Sequence, residues 1–179
     1  KKRGIMDFRK GTFWHQGLFL QPQHFQRFDL NQQFYRKPLY EAVSPYFWGV
    51  GNLVVASELL TARAFEVRAA NLIFQDQTYI EFPGNAVISS RSFDKVWATS
   101  DVPLRVYLGL RKLSMVSPNV TVVDSLADVG EVNTRFASLG QAETMPDLYA
   151  QGPSAEVRTL VHVVKVFFEP ELETLDDYD

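Results

Sequence analysis

Three histidines, His15, His24 and His162, are the side chains best suited to chemistry in a chain of 179 residues without a single cysteine. The missing cysteines exclude a disulfide-stapled fold, a thiolate nucleophile, and thiolate zinc or iron–sulfur ligation. His15 and His24 lie nine residues apart, with Gly17 and Pro22 between them, and neither belongs to an H-x-x-x-H or H-E-x-x-H helix. The nearest carboxylates, Asp7 and Asp29, have no ligand spacing to them. His162 sits in an apolar run and reads as a hydrogen-bonded core or interface histidine. No G-x-S-x-G elbow is present. Gly49-Val50-Gly51 precedes a strand and lacks both a third glycine and a phosphate-binding lysine, so it reads as a turn. Asp176-Asp177 lies in a polar tail where no carboxylate can be held for acid–base work. No catalytic, metal or cofactor site is expected.

Some scaffold must still hold these side chains, and composition bounds what it is. At 20.4 kDa, folding buries roughly 70% of the unfolded chain's surface, enough for one core. With 22% charged and 13% aromatic residues, the chain is too apolar for a disordered segment. No apolar run approaches the roughly 18 residues of a membrane span, and Lys1-Lys2-Arg3-Gly4 has no apolar stretch behind it to make a signal peptide. The totals conceal an asymmetry. Residues 1–48 hold 12 of the 24 aromatics and carry 8 basic against 3 acidic residues, or +5. Since the whole chain is −3, residues 49–179 carry −8. Lys1, Lys2, Arg3, Arg9 and Lys10 interleave with Phe8, Phe13 and Trp14, the ingredients of single-strand binding. The net negative charge argues instead for a solvated basic arm over residues 1–12, and no nucleic-acid partner is expected.

Pro22 suits the first position of a helix, because its missing N–H would be unpaired there anyway. Phe25, Phe28, Tyr35, Leu39 and Ala42 follow on one helical face. Pro38 should kink or end that helix near Lys37; residues 22–43 are taken as its full extent. Beyond Trp48-Gly49 the chain becomes short β-branched segments between turn signals. Strands are expected at 52–60, 62–68, 71–74, 78–82, 86–90, 104–110, 120–123 and 157–168, with Gln75-Asp76-Gln77 as a hairpin turn and Leu160–Phe168 as a central strand buried on both faces. Residues 125–156 read as a long, poorly periodic excursion, and Glu169–Asp179, with six acids, as a solvated tail or exit segment. The expected fold is mainly β: an antiparallel β-sandwich over residues 13–168 with one N-terminal α-helix.

One stretch is more specific than any of this: W-H-Q-G-L-F-L-Q-P-Q-H-F-Q, Trp14 to Gln26. It resembles the signature of the TssK family of type VI secretion baseplate subunits, close to W-x-E-G-M-F-L-x-P-Q-H-F-Q. Trp14, Gly17, Phe19, Leu20, Pro22, Gln23, His24, Phe25 and Gln26 match; Gln16, Leu18 and Gln21 stand for the usual Glu, Met and Arg. Pro45-Tyr46-Phe47-Trp48-Gly49 is similar to the family's P-Y-G-W-G. Leu72–Thr78 is similar to its F-P-D-G-T hairpin with Gln77 at the glycine, and Val106–Leu110 to its V-Y-L-A-L strand.

The resemblance implies a structural, non-enzymatic subunit without cofactors, lying in the cytoplasm of a Gram-negative bacterium. It implies a homotrimer that docks on the wedge proteins TssF and TssG. It further implies a link to the membrane complex through domains beyond this chain, with residues 169–179 leading toward a helical stalk. The fold it implies is like the shoulder of phage receptor-binding proteins, and a phage-tail-like receptor-binding or adaptor role is the second reading. Trp14, Gly17, Phe19, Leu20, Pro22, Gln23, His24 and Phe25 are the expected partner-binding residues. The plainer alternative is that Trp14, Phe19 and Phe25 simply belong to the core.

Overall fold

The computed structural model describes residues 7–97 and 102–179. The chain divides into two compact units, Lys1–Phe47 and Trp48–Asp179. Lys1–Met6 of the expected basic arm lie outside the described residues.

The first unit is built on one helix, α1 (Pro22–Val43), with Pro22 at its start and Pro38 inside it. The helix runs through Pro38 without ending there. Ser44 N–H closes it on Tyr40 O at 3.0 Å, and the Phe47 ring stacks on Tyr40 at 5.0 Å and 8°. Residues 7–10 are tied back onto α1 from below. Arg27 Nη2 donates to Lys10 O at 2.8 Å and Asp7 O at 3.2 Å, and Asn31 Nδ2 donates to Phe8 O at 2.7 Å. Arg27 and Asn31 are four apart, one turn on the same face. Asn31 is the one buried residue of the helix, at 5% exposure. Part of the expected solvated arm is therefore fastened to the helix, because two side chains satisfy its carbonyls.

The second unit is mainly β. Its elements are β1 (Gly49–Val55), the single turn α2 (Ser57–Leu60), β2 (Ala64–Phe65), β3 (Val67–Ile73), β4 (Tyr79–Phe82), β5 (Ala86–Ile88), β6 (Arg91–Ser92), β7 (Val106–Leu110), β8 (Val120–Val123), β9 (Phe136–Leu139), β10 (Glu143–Met145), β11 (Ala155–Val157) and β12 (Val161–Phe168). β1, β3 and β4 form one antiparallel sheet in that order, and a five-stranded sheet runs β5-β12-β9-β8 with β7 also on β12. The five-stranded sheet is mixed. β12 is parallel to β5 and β8 to β9, while β7 and β9 run antiparallel to β12. The purely antiparallel expectation is corrected there: crossovers through residues 89–160 bring β12 back beside β5 in the same direction.

β12 is central, as its composition predicts. Val164, Val166 and Phe168 enter a core shared with Val67, Leu72 and Ile80 of the first sheet and Ile88 and Leu110 of the second. Val163, on the opposite face, enters a smaller core with Val129, Val132 and Ala137. The β3–β4 hairpin turns at Gln75–Gln77, closed by Gln77 N–H to Phe74 O at 2.9 Å. Residues 125–156 are more than an excursion. They hold a 3₁₀ segment (Leu126–Glu131), the inner strand β9 and the β10–β11 pair. Residues 169–179 are not a solvated tail. A 3₁₀ turn (Glu169–Thr174) leads to an antiparallel bridge of Tyr178 with Arg111. Leu110 and Asp179 exchange N–H···O bonds of 3.1 and 2.9 Å. Charge explains the fastening: Arg91 grips Glu171 with two bonds of 2.7 and 2.5 Å, and Arg111 reaches Asp177 at 3.4 Å.

Candidate partner-binding site

The signature stretch begins with a turn. Leu18 N–H donates to His15 O at 3.2 Å, and Gly17, with φ +84°, occupies the third position. That angle matches a type II turn, which favours glycine there. The turn sends Phe19 and Leu20 outward before the chain re-enters as a helix. At the helix entrance Gln21 N–H donates to His24 Nδ1 at 3.1 Å, and His24 N–H donates to Gln21 O at 3.0 Å. The imidazole thus takes the place that a Glu or Gln occupies in a capping box. It satisfies an N–H that the helix start would leave unpaired. Pro22 fixes the entry φ, and Gln23 is exposed.

Trp14 packs across this entrance, with ring centroids 6.4 Å from His24, 6.4 Å from Phe25 and 6.3 Å from Phe28, the last edge-on at 66°. Even so, Trp14 remains 46% exposed and Phe25 52%. Phe19 stands 81% exposed, with Leu20 exposed beside it. Of the eight expected residues, Trp14, His24 and Phe25 come together as one aromatic cluster. Gly17, Pro22 and His24 shape the backbone, Phe19 and Leu20 project from it, and Gln23 makes no contact that draws it in. The core alternative does not hold for Phe19. Phe13 belongs with them: it is exposed, and its ring lies 5.6 Å from His15. Its position just before Trp14 was the available signal. Arg27 and Asn31, which pin residues 7–10, left no motif to read.

The remaining polar cluster lies in the second unit. Arg135, almost wholly buried, donates to Asp76 Oδ2 at 2.6 Å, Thr78 Oγ1 at 2.6 Å and Arg111 O at 2.7 Å. Burial works to raise the Asp76 pKa, but Arg135 and the Thr78 hydrogen bonds outweigh it and hold the carboxyl below its usual range. His162 packs at a tilt against Phe136, ring centroids 4.9 Å apart at 45°. Its Nδ1 is buried without a partner among the described residues, so the expected hydrogen bond is not made at that atom. Burial first, and then the Arg135 charge, push its pKa down to about 4. This arrangement staples the β3–β4 turn to β9; it presents no nucleophile. Among the described residues, no three His, Asp or Glu side chains gather to hold an ion. His15 and His24 are engaged separately, one at Gln16 O and the other at the helix cap.

A family model described as bacterial type VI secretion, VC_A0110, EvfL, ImpJ, VasE, matches residues 24–179, most of the chain. The chain belongs to this family. The match takes in only His24–Gln26 of the signature stretch, so the strands, and not the motif alone, carry membership. Three solved structures share the fold of this VasE/TssK-family chain. A crystal structure of TssK superposes with TM-score 0.77 at 22% identity, covering 94% of this chain and 36% of that one. A chain of the type VI secretion system TssK-TssF-TssG baseplate subcomplex superposes with TM-score 0.73 at 20% identity, covering 92% of this chain and 52% of that one. The baseplate complex from the type VI secretion system gives TM-score 0.71, 18% identity, and coverage of 95% and 51%. The chain thus spans about half the length of two of these chains and about a third of the other. Comparison with curated proteins finds no match. Among the described residues no helix is long and apolar enough to cross a membrane.

Proposed function

We propose that this chain is a structural part of the type VI secretion baseplate. In this reading three copies dock onto the TssF–TssG wedge from the cytoplasmic side, and domains beyond this chain link them to the membrane complex. Family membership and the likeness to a TssK-TssF-TssG subcomplex support the setting. The observation that carries the docking reading is the exposed aromatic ridge Phe13–Leu20. An apolar loop held rigid by a turn, a helix cap and Trp14 loses little entropy when a partner covers it, and aromatic anchors supply most of the energy at such contacts. Trp14 braces and Phe19 anchors. Gly17, Pro22, Gln23, His24 and Phe25 form the frame.

The two roles separate experimentally. Phe19→Ala, tested by co-purification with TssF and TssG, should lose the wedge proteins while its thermal unfolding stays at the wild-type temperature. Trp14→Ala should lower both. Wedge capture unchanged in Phe19→Ala would remove the docking role from the ridge.

A further inference from the structure

β10 and β11 pair only with each other, Glu143 with Val157 through Met145 with Ala155. All six of their residues are exposed. They make an arm whose tip is nonetheless ordered: Asp147 Oδ1 accepts from Tyr149 N–H and Ala150 N–H at 3.0 Å each. That turn holds Leu148 and Tyr149 in the open, Tyr149 completely so at 101%. The arm is also acidic. Residues 143–157 contain Glu143, Asp147 and Glu156 and no lysine or arginine.

The opposite character appears on the outer half of α1. Tyr35, Leu39 and Val43 recur every four residues, forming an apolar stripe, and all three are exposed, Leu39 at 67%. Arg36 borders the stripe; with Lys37 paired to Glu41 at 3.7 Å, this end of the helix carries a net +1. An isolated exposed apolar residue is ordinary, but an ordered apolar tip and a three-residue stripe on one chain are patches that call for cover.

We propose that the arm of one copy docks Leu148 and Tyr149 onto the Tyr35–Leu39–Val43 stripe of a second copy, with Arg36 facing Glu143 and Glu156. Complementary charge selects this occupant: the acidic arm is matched by Arg36 at the edge of the stripe and repelled by another acidic arm. The contact joins two different patches, so it is heterologous, and repetition around an axis closes it into a ring. It deepens the three-copy assembly of the proposed function and leaves the Phe13–Leu20 ridge free for the wedge.

The absence of native cysteines makes the test direct. The 179-residue chain is prepared as Tyr149→Cys and, separately, Leu39→Cys. The two are mixed and treated with a short bismaleimide, with Val116→Cys, also exposed, replacing Tyr149→Cys as control. The contact requires Tyr149–Leu39 links between chains at least tenfold above the Val116 control, and loss of those links in Arg36→Glu with recovery when Glu156→Arg is added to the arm partner. Links no greater than the control overturn it, as do links found only within a doubly substituted chain. Native mass measurement of the unmodified chain separates the two readings. Association without the Tyr149–Leu39 link rejects this contact and leaves the assembly standing; a strictly monomeric chain at 100-fold the cross-linking concentration rejects the contact together with self-assembly of this chain.

Discussion

Two departures from the family pattern have a local physical explanation, and a third carries a cost. Phe47 stands where a glycine is usual, and its ring is stacked on Tyr40 at the end of α1. Gly109 stands where an alanine is usual, and a Cβ there would lie 2.8 Å from the Phe167 ring, which in turn meets Tyr178 edge-on at 4.8 Å. That ring leaves no room for the methyl group. Gln77 occupies the hairpin glycine with φ +71°, and its Oε1 is buried without a partner among the described residues. A left-handed non-glycine residue costs roughly 1–2 kcal/mol, offset in part by the greater unfolded-state entropy of glycine. Gln77→Gly should therefore stabilise the chain by about 1 kcal/mol, raising Tm by about 2–4 °C for a chain of this size, as read by calorimetry. His162 makes a pH prediction. In the unfolded chain it takes up a proton near 6.5, in the folded one only near 4. Between those values the unfolded state binds more protons, so stability is full above pH 6.5 and falls as pH drops toward 4. Denaturant midpoints measured from pH 7 to 4.5 should fall, and His162→Phe, which keeps the ring packing, should flatten that slope.

Elements were legible where local pattern and tertiary packing agree. α1 follows from Pro22 and its apolar spacing, β8 from its β-branched run, β4 from its mix of aromatic and β-branched residues, and β12 from a continuous apolar stretch that only a central strand can bury on both sides. β9 was hidden. Phe136-Ala137-Ser138-Leu139 is short and weakly patterned, and it becomes a strand because β8 and β12 flank it. The C-terminal fastening was hidden too, since six acids read as solvated until Arg91 and Arg111, distant in sequence, are placed beside them. The ridge motif was legible as a motif, while the exposure of Phe19 was not: aromatic density marks cores and contact surfaces alike. The Arg135 staple belongs with these long-range effects. Arg135→Met leaves Asp76 partly buried without its cation, and breaking such a pair costs about 3 kcal/mol. Adding Asp76→Asn should return part of that loss, measured as a double-mutant cycle in urea unfolding.

For the molecule as a whole, two compact units carry different work. Trp48–Asp179 holds the buried cores, so its strands account for stability. Lys1–Phe47 holds 11 of the 24 aromatics, and its described residues bury little of their apolar surface. A segment so rich in aromatics and so poor in core suits the docking role proposed for it. The charge division runs the same way, +5 over residues 1–48 against −8 beyond. The most direct test is a titration of the purified TssF–TssG wedge against wild type, Phe19→Ala and Arg135→Met, each with its own unfolding curve. Docking through the exposed ridge predicts that Phe19→Ala weakens wedge binding at least tenfold with its unfolding midpoint unchanged, while Arg135→Met unfolds earlier and binds normally below its transition. Wild-type affinity in Phe19→Ala, or a loss of binding that only tracks its loss of stability, would contradict it.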